Sequence, residues 1–240
     1  MAGDCTYVKN YNAGELEVGS SECRYLDQVC VAQSLADEQH ILIDIQHYLS
    51  KILQNRTMIK ILAISGSLRS SSSNTNILRA LVDLAPEDVS IEIYDRIVTL
   101  PHFNPEIDDD RELISVQDWR SQLKQADAVI FCTPEYAHGV PGVLKNALDW
   151  IVSSGEFMHK PTAVISASPS PDGGEKANAS LVQTLKMMMA EIPDGSMLCI
   201  PAVSAKLSKQ GEIVDVETEI LLRSLLENLI ETANQSTQSQ

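Results

Sequence analysis

Short apolar runs rich in β-branched residues alternate with amphipathic stretches along most of the chain, from about Met58 onward. The runs have the length and composition of buried strands, and the apolar positions between them recur with the period of a helix that has one buried face. The predicted strands are 59–65, 89–95, 128–133, 162–168 and 196–201. The predicted helices are 76–84, 112–125, 140–152, 175–189 and 216–232.

Five strand and helix units with short connections predict an α/β fold, with a parallel sheet covered by helices on both faces. Right-handed crossovers and the lack of a glycine-rich dinucleotide turn favour a flavodoxin-like three-layer sandwich with strand order 2-1-3-4-5. In that order a ligand crevice lies at the carboxyl ends of strands 1, 3 and 4. The loops that follow Ser65, Thr133 and Ser168 are therefore the candidate binding loops.

The two ends of the chain do not follow this alternation. Residues 1–57 form an extension in which 36–53 places apolar side chains on one face, as in a single amphipathic helix. The sequence leaves open whether this helix caps the domain, pairs with a second subunit or belongs to no compact structure. The predicted domain spans 58–232, and the polar segment 233–240 is predicted to be a disordered tail.

The first candidate loop is rich in hydroxyl groups and carries one guanidinium, that of Arg69. It precedes a predicted helix, whose N-terminus offers unpaired backbone N–H groups and a partial positive charge. The loop matches neither the nucleoside triphosphatase pattern nor the dinucleotide pattern. It therefore predicts a cradle for a monophosphate, such as that of flavin mononucleotide (FMN). The alternative is that the four serines at 70–73 form a flexible linker between domains.

The second loop contains proline and glycine and leads into a helix that starts near Pro141. A rigid turn of this kind can lay backbone amides along the pyrimidine edge of an isoalloxazine ring. Tyr136 either stacks near a ligand or packs under the loop. Glu135 is expected to be a solvated carboxylate or to brace the loop, rather than to act as an acid. His138 has no partner at metal-ligand spacing, so no metal site is predicted.

The third loop, 168–174, contains two glycines that either let backbone approach a ring or serve an ordinary turn. The helix after it is expected to direct Met188 and Met189 inward, as packing rather than as a cofactor contact. Cys132 is expected to be buried within its strand, not to act as a nucleophile.

Composition narrows the possible partners and compartment. The 240-residue chain has 18 basic and 33 acidic residues, a formal charge of −15, which argues against nucleic acid and anionic membrane surfaces as partners. Its five cysteines form no Cys-x-x-Cys pair, so neither a disulfide framework nor a zinc site is indicated. No apolar run approaches membrane-spanning length. These features predict a cytoplasmic protein.

Two motifs make the chain resemble the NAD(P)H-dependent FMN reductase family, the flavodoxin-like group of quinone, chromate and azo-dye reductases. The resemblance covers about 58–228. One motif is Gly66-Ser67-Leu68-Arg69-x-x-Ser72-x-Asn74, and the other combines Thr133-Pro134-Glu135-Tyr136 with the helix 141–150. The family usually has asparagine where this chain has Ala137. The site residues implied by the resemblance are Ser67, Arg69, Ser72, Asn74 and Thr75 at the FMN phosphate, Pro134, Glu135, Tyr136, Ala137 and His138 beside the ring, and Ser168 near its far side.

The resemblance implies an oxidoreductase in which NAD(P)H passes hydride to N5 of FMN. The reduced flavin then reduces a small-molecule partner, a quinone-like or other electrophilic electron acceptor. Donor and acceptor would use one open face in turn, a ping-pong cycle, and no catalytic side chain is required. The alternative is a non-enzymatic flavodoxin-type electron carrier or a flavin-binding regulatory module. No acidic or arginine selector indicates NADH or NADPH.

The resemblance also implies a homodimer or homotetramer. The helix that ends at Trp150 carries Lys145, Asn146 and Asp149. These side chains are expected to brace the helix or to anchor a subunit contact, where aromatic residues are enriched.

Overall fold

A five-stranded, wholly parallel sheet forms the core of the part of the chain that this computed structural model describes, residues 58–108 and 113–238. The strand order is β2-β1-β3-β4-β5, which confirms the predicted flavodoxin-like order. The strands are β1 (Ile59–Ser65), β2 (Val89–Tyr94), β3 (Ala128–Thr133), β4 (Thr162–Ala167) and β5 (Met197–Ile200).

Helices connect the strands and cover both faces of the sheet. They are α1 (Ser73–Leu84), α2 (Ile114–Gln125), α3 (Gly142–Asp149), α4 (Glu175–Met187), α5 (Val203–Lys206) and α6 (Val216–Gln238). Two short 3₁₀ helices, Arg96–Thr99 and Pro105–Ile107, follow β2. The short elements α5 and the two 3₁₀ helices were not predicted, because three or four residues are too few to show a period.

Each face of the sheet packs on its own apolar cluster, which makes the three layers. On one face Phe131 of β3 packs in a cluster with Trp119 of α2 and Leu181 of α4. On the other face Ile61 of β1 packs in a cluster with Ile77 of α1 and with leucines of α6. Burial of β3 and β4 on both faces explains why their sequences read as continuous apolar runs.

Three helices have a boundary that differs from the prediction by three residues or more. Helix α1 begins at Ser73, three residues early, because the Ser72 side chain caps it by accepting a hydrogen bond from the Thr75 N–H. Helix α3 is shorter than 140–152 and ends at Asp149. Helix α6 continues to Gln238, and Ala233 is buried in the cluster beneath it, so the prediction of a disordered tail from 233 was wrong for the residues described.

Two other expectations concern the Met189 side chain and the N-terminal extension. Met189 does not face inward with Met188, since its side chain is 51% exposed and its φ is 63°. The extension 1–57 lies outside the described residues, and so does its predicted helix over 36–53. None of the described helices combines the length and the hydropathy that a bilayer-spanning segment requires.

Candidate active site

The first and second loops touch where they leave the sheet. The Gly66 N–H donates to the Cys132 carbonyl at 2.9 Å, which extends the β1–β3 pairing by one residue. A methyl group on Gly66 would lie 2.6 Å from Thr133 Oγ1 and 3.2 Å from Leu144 Cδ2. Only glycine fits such an approach, so this residue allows the two loops to share one crevice.

Hydroxyl groups fix the course of the first loop. Ser65 Oγ accepts a hydrogen bond from the Ser67 N–H at 3.2 Å and lies 2.9 Å from Thr75 Oγ1. Ser67 Oγ in turn accepts from the Arg69 N–H at 3.3 Å. A hydroxyl can donate once and accept twice, so Ser67 and Thr75 keep hydrogen-bonding capacity for a ligand. The loop is therefore held by its own side chains and is not a slack linker.

Unpaired donors gather where this loop meets α1. The backbone N–H groups of Ser73 and Asn74 stand in the first helical turn, where no intrahelical acceptor exists. Within the described part of the chain, the exposed Arg69 guanidinium has no hydrogen-bond or ion-pair partner. A guanidinium, free N–H groups and hydroxyls beside a helix N-terminus are the donor set that an anion requires. The residues present thus fit a phosphate group.

Asn74 serves the scaffold with its side chain. The side chain is 4% exposed, donates to the Ala167 carbonyl at 3.3 Å and accepts from the Cys132 thiol at 3.3 Å. The structure therefore turns this amide into the sheet, away from the role expected of it at a phosphate, and leaves its backbone N–H at the helix terminus. Burial raises the pKa of the Cys132 thiol, so this cysteine is an inert thiol, as its position in the strand suggests.

The second loop is a tight turn. Tyr136 and Gly139 exchange two backbone hydrogen bonds of 3.1 and 3.0 Å, and both residues between them, Ala137 and His138, have positive φ values of 50° and 62°. These are the angles of a type I′ turn, which favours Asn and Gly. The departure from the family's asparagine thus places an alanine where the left-handed conformation costs about 1–2 kcal/mol.

Two side chains of this turn are exposed to solvent. The Tyr136 side chain is 53% exposed, so it does not pack under the loop, whereas Pro134 behind it is buried. The His138 side chain is also largely exposed. The structure thus excludes the alternative in which Tyr136 packs under the loop. The aromatic ring of Tyr136 is left available to a ligand.

Glu135 joins the second loop to the third. Its Oε2 accepts a hydrogen bond of 3.0 Å from the backbone N–H of Ala177, in the first turn of α4, and its Oε1 lies 3.1 Å from His138 Nδ1. The Ala177 N–H is the main cause that holds the pKa of this carboxyl below its usual range, and His138 contributes. The predicted bracing role is therefore correct, and the carboxylate also joins the second loop to the first turn of α4.

The third loop packs against the end of β5. A Cβ on Gly173, whose φ is 63°, would lie 2.8 Å from the Ile200 carbonyl carbon. The Ser168 N–H donates to the Ile200 carbonyl at 3.2 Å, and its hydroxyl lies 2.8 Å from Ser170 Oγ. Ser168 therefore stands at the β5 side of the crevice.

Trp150 and its neighbours serve the subunit's own fold. Trp150 is fully buried, and its Nε1 and the Asn146 Nδ2 both donate to the Pro101 carbonyl, at 2.8 and 2.9 Å. Lys145 pairs with Asp149 along the helix. The expectation that Trp150 anchors a subunit contact was wrong, since the side chain binds the segment after β2 instead.

Several positions that shape the site were not assigned from the sequence. Ser65 and Thr133 end their strands, and Ala177 lies 42 residues beyond the carboxylate that binds it. A hydroxyl at the last position of a strand that precedes a ligand loop is a signal that could have identified the first two. Ala177 acts through its backbone, so its residue type carries no signal.

Comparison with known proteins agrees with this geometry. The family model for NADPH-dependent FMN reductase matches residues 59–201, which include all three loops. An NAD(P)H-dependent FMN reductase of Pseudomonas aeruginosa is 35% identical over 173 residues, which cover 71% of this chain and 93% of the relative. A quinone reductase of Pseudomonas putida is 40% identical over 127 residues, which cover 51% of this chain and 67% of the relative.

A solved structure shares the fold. FerB, a flavoenzyme NAD(P)H:(acceptor) oxidoreductase from Paracoccus denitrificans, has a TM-score of 0.67 and 27% sequence identity to this chain. The match covers 74% of this chain and 98% of FerB. Sheet order, loop geometry and family match coincide on the same residues, and the chain belongs to the NADPH-dependent FMN reductase family.

Proposed function

We propose that this protein is an FMN-dependent NAD(P)H oxidoreductase that reduces a quinone-like or other electrophilic acceptor by a ping-pong mechanism. In the net reaction NAD(P)H and one proton reduce a quinone to a quinol and leave NAD(P)⁺. The observation that carries the proposal is the Arg69 guanidinium, which has no partner among the described residues. It lies in the loop that leads into the free N–H groups of α1, where Gly66 brings the first two loops together.

Nearby hydrogen-bond donors would hold the phosphate at one end of the crevice. The protein carries a formal charge of −15, so its overall field repels an anion, and binding depends on short-range contacts. The groups proposed to contact the phosphate are the Arg69 guanidinium, the hydroxyls of Ser67, Ser72 and Thr75, and the backbone N–H of Asn74. Ser72 already caps α1 through one lone pair and keeps a donor for the ligand.

The ring would lie between the second and third loops, bordered by 134–138 and by Ser168. When bound, FMN supplies the hydride chemistry of the reaction. The protein's part is to orient the ring, and the rigid Tyr136–Gly139 turn suits that task because two backbone hydrogen bonds fix it. Among the residues described, no cluster of His, Cys, Asp or Glu could hold a metal ion.

The open lip of the crevice supports alternating use by donor and acceptor. Tyr136 and His138 are both mainly exposed, so the turn does not close over the space beside it. Two substrates of different shape can then occupy one place in succession. An enclosed pocket, in contrast, would favour one of them.

The runner-up function is a non-enzymatic electron carrier or a flavin-binding regulatory module. Steady-state oxidation of NAD(P)H by purified protein separates the two, with benzoquinone as acceptor. The proposed function predicts yellow protein that turns over with NADH or NADPH alone as donor. Colourless protein that does not bind added FMN would refute the proposal, and yellow protein without turnover would favour the carrier.

We also propose that the protein forms a homodimer or homotetramer. The support is the family resemblance together with exposed apolar side chains on the surface near α2, where Ile114 is 80% and Val98 is 58% exposed. Light scattering of the flavin-loaded protein at micromolar concentration tests this. A monomer with full flavin content would contradict it.

A further inference from the structure

A single carboxylate connects the second loop to the helix that follows the third loop. Glu135 lies in the second loop, and its Oε2 accepts the N–H of Ala177, which belongs to α4 beyond the third loop. The bond is 3.0 Å long, and the carboxylate side chain is only 11% exposed. The contact therefore bridges the space between the second and third loops, where the ring is proposed to lie.

Helix α4 depends on this contact for its N-terminal cap. Its N-cap residue is Gly174, which has no side chain and makes no capping hydrogen bond of its own. The glycine is needed there, because its φ is 83° and a Cβ would lie 3.3 Å from Ser166 and 3.4 Å from Glu135. The side-chain oxygen that usually comes from the N-cap residue is thus supplied by another loop.

A second contact holds the carboxylate in place from its own loop. His138 Nδ1 lies 3.1 Å from Glu135 Oε1. His138 sits in the left-handed region, at the turn whose backbone is strained. Strain of this kind persists where surrounding contacts overdetermine the geometry, and it clusters at ligand sites.

From these contacts we infer that Glu135 is a positioning residue that fixes the separation of the second and third loops, and with it the part of the crevice that receives the flavin ring. The inference rests on the proposed function, because it presumes that a flavin binds here. It assigns the Glu135 side chain to the α4 terminus and leaves contact with the ring to the backbone of its loop.

The rival explanation is that Glu135 caps α4 and does nothing else. Both explanations predict lower stability when the carboxylate is removed, so stability does not separate them. Binding of riboflavin does, since riboflavin has the ring of FMN and lacks its phosphate. Loss of ring positioning weakens both flavins by the same factor, whereas damage at the phosphate loop weakens FMN alone.

The test uses full-length apoprotein and two readouts, amide hydrogen exchange at Ala177 and titration with FMN and with riboflavin. The variants are Glu135→Ala and Glu135→Gln, where the amide keeps an acceptor oxygen without the charge. The matched control is Asp215→Ala. Asp215 directly precedes α6 and accepts the Thr218 N–H at 3.0 Å, so it caps a helix with a carboxylate. It also pairs with Lys206 of α5 at 3.6 Å, and among the described residues it makes no hydrogen bond or ion pair to the three loops.

For Glu135→Ala we expect Ala177 to exchange at least about tenfold faster, because its hydrogen bond opens locally. We expect the affinities for FMN and riboflavin to fall together, by roughly five- to tenfold, the range of a modest coupling between neighbouring sites. Glu135→Gln should lie between wild type and Glu135→Ala in both readouts. Asp215→Ala should leave Ala177 exchange and both flavin affinities unchanged.

Three results would overturn the inference. Unchanged exchange at Ala177 would show that the contact does not hold α4. Faster exchange with unchanged flavin affinities would leave Glu135 as a helix cap only. A fall in FMN affinity with unchanged riboflavin affinity would move its effect to the phosphate loop. Wild-type protein that binds neither flavin is a distinct outcome, which refutes the proposed function and the inference with it.

Discussion

Gly66 and Thr133 approach so closely that a methyl group on Gly66 would lie 2.6 Å from the threonine hydroxyl oxygen. The contact joins the end of β1 to the end of β3, and the same glycine donates its N–H to the Cys132 carbonyl. The first and second loops are therefore joined at one junction. Displacement of either loop would shift the other.

This contact predicts that Gly66→Ala destabilises the protein and weakens flavin binding. Thr133 Oγ1, Thr133 Cβ and Leu144 Cδ2 all lie within 3.2 Å of the added methyl, so overpacking should cost about 1–3 kcal/mol of unfolding free energy. Urea denaturation and FMN titration measure the two effects. Gly142→Ala is the control, because a Cβ there meets nothing within 4 Å. Equal stability of Gly66→Ala and wild type would contradict the geometry.

Replacement of Arg69 should affect FMN and spare riboflavin. A charge-assisted hydrogen bond to phosphate contributes about 1.5–3 kcal/mol, which corresponds to a roughly ten- to hundredfold weaker FMN complex for Arg69→Ala. Fluorescence titration of apoprotein with each flavin measures this. The matched control is Arg79→Ala, whose guanidinium bonds Asn76 within α1. Equal losses for FMN and riboflavin would show that Arg69 does not meet the phosphate.

The strained turn offers a stabilising substitution. Ala137 has a φ of 50°, and asparagine tolerates this region better than alanine. Ala137→Asn should therefore raise the unfolding free energy by about 0.5–1 kcal/mol, part of the 1–2 kcal/mol that the left-handed conformation costs. Denaturant unfolding measures the change. The same substitution at the exposed Ala179 within α4 should lower stability, because asparagine is a poorer helix former. A destabilised Ala137→Asn protein would contradict the role of strain.

Glu135 should make stability depend on pH in the acid range. Its folded-state pKa lies below the unfolded value, mainly because the Ala177 N–H stabilises the carboxylate. The stabilisation is complete above the unfolded pKa of about 4.3 and is lost as pH falls through the folded pKa. The stability advantage of wild type over Glu135→Gln should thus be constant near neutrality and shrink below about pH 4.3. An advantage independent of pH would contradict this linkage.

Local sequence patterns predicted the strands, the helices and the candidate loops, because the formation of these elements depends on residues that are near neighbours in the chain. The periodic apolar runs located β1, β3 and the other strands, and the hydroxyl-rich turn after Ser65 indicated the first candidate loop. The direction of the Asn74 side chain was not predictable, because the backbone carbonyl that it bonds belongs to Ala167, 93 residues away. The Glu135 to Ala177 bond is likewise a product of the folded sheet.

Local sequence also led to two wrong expectations. The segment after Thr232 is polar, yet α6 continues into it. Ala233, the one apolar residue of this segment, lies on the inner face of α6 and is buried in the apolar cluster there. Trp150 reads as a surface anchor in isolation, but the Pro101 carbonyl that binds its Nε1 comes from a segment 49 residues earlier. In both cases tertiary packing decides the outcome, and the local pattern does not contain it.

The most direct test of the proposed function is anaerobic stopped-flow absorbance of the flavin-loaded protein, followed near ~450 nm, where only the oxidised cofactor absorbs. Mixing with NADPH or NADH alone should bleach the band without any acceptor, and later mixing with benzoquinone should restore it. Each half-reaction should be at least as fast as steady-state turnover. A band that bleaches only when donor and acceptor are present together, or not at all, would contradict the ping-pong account.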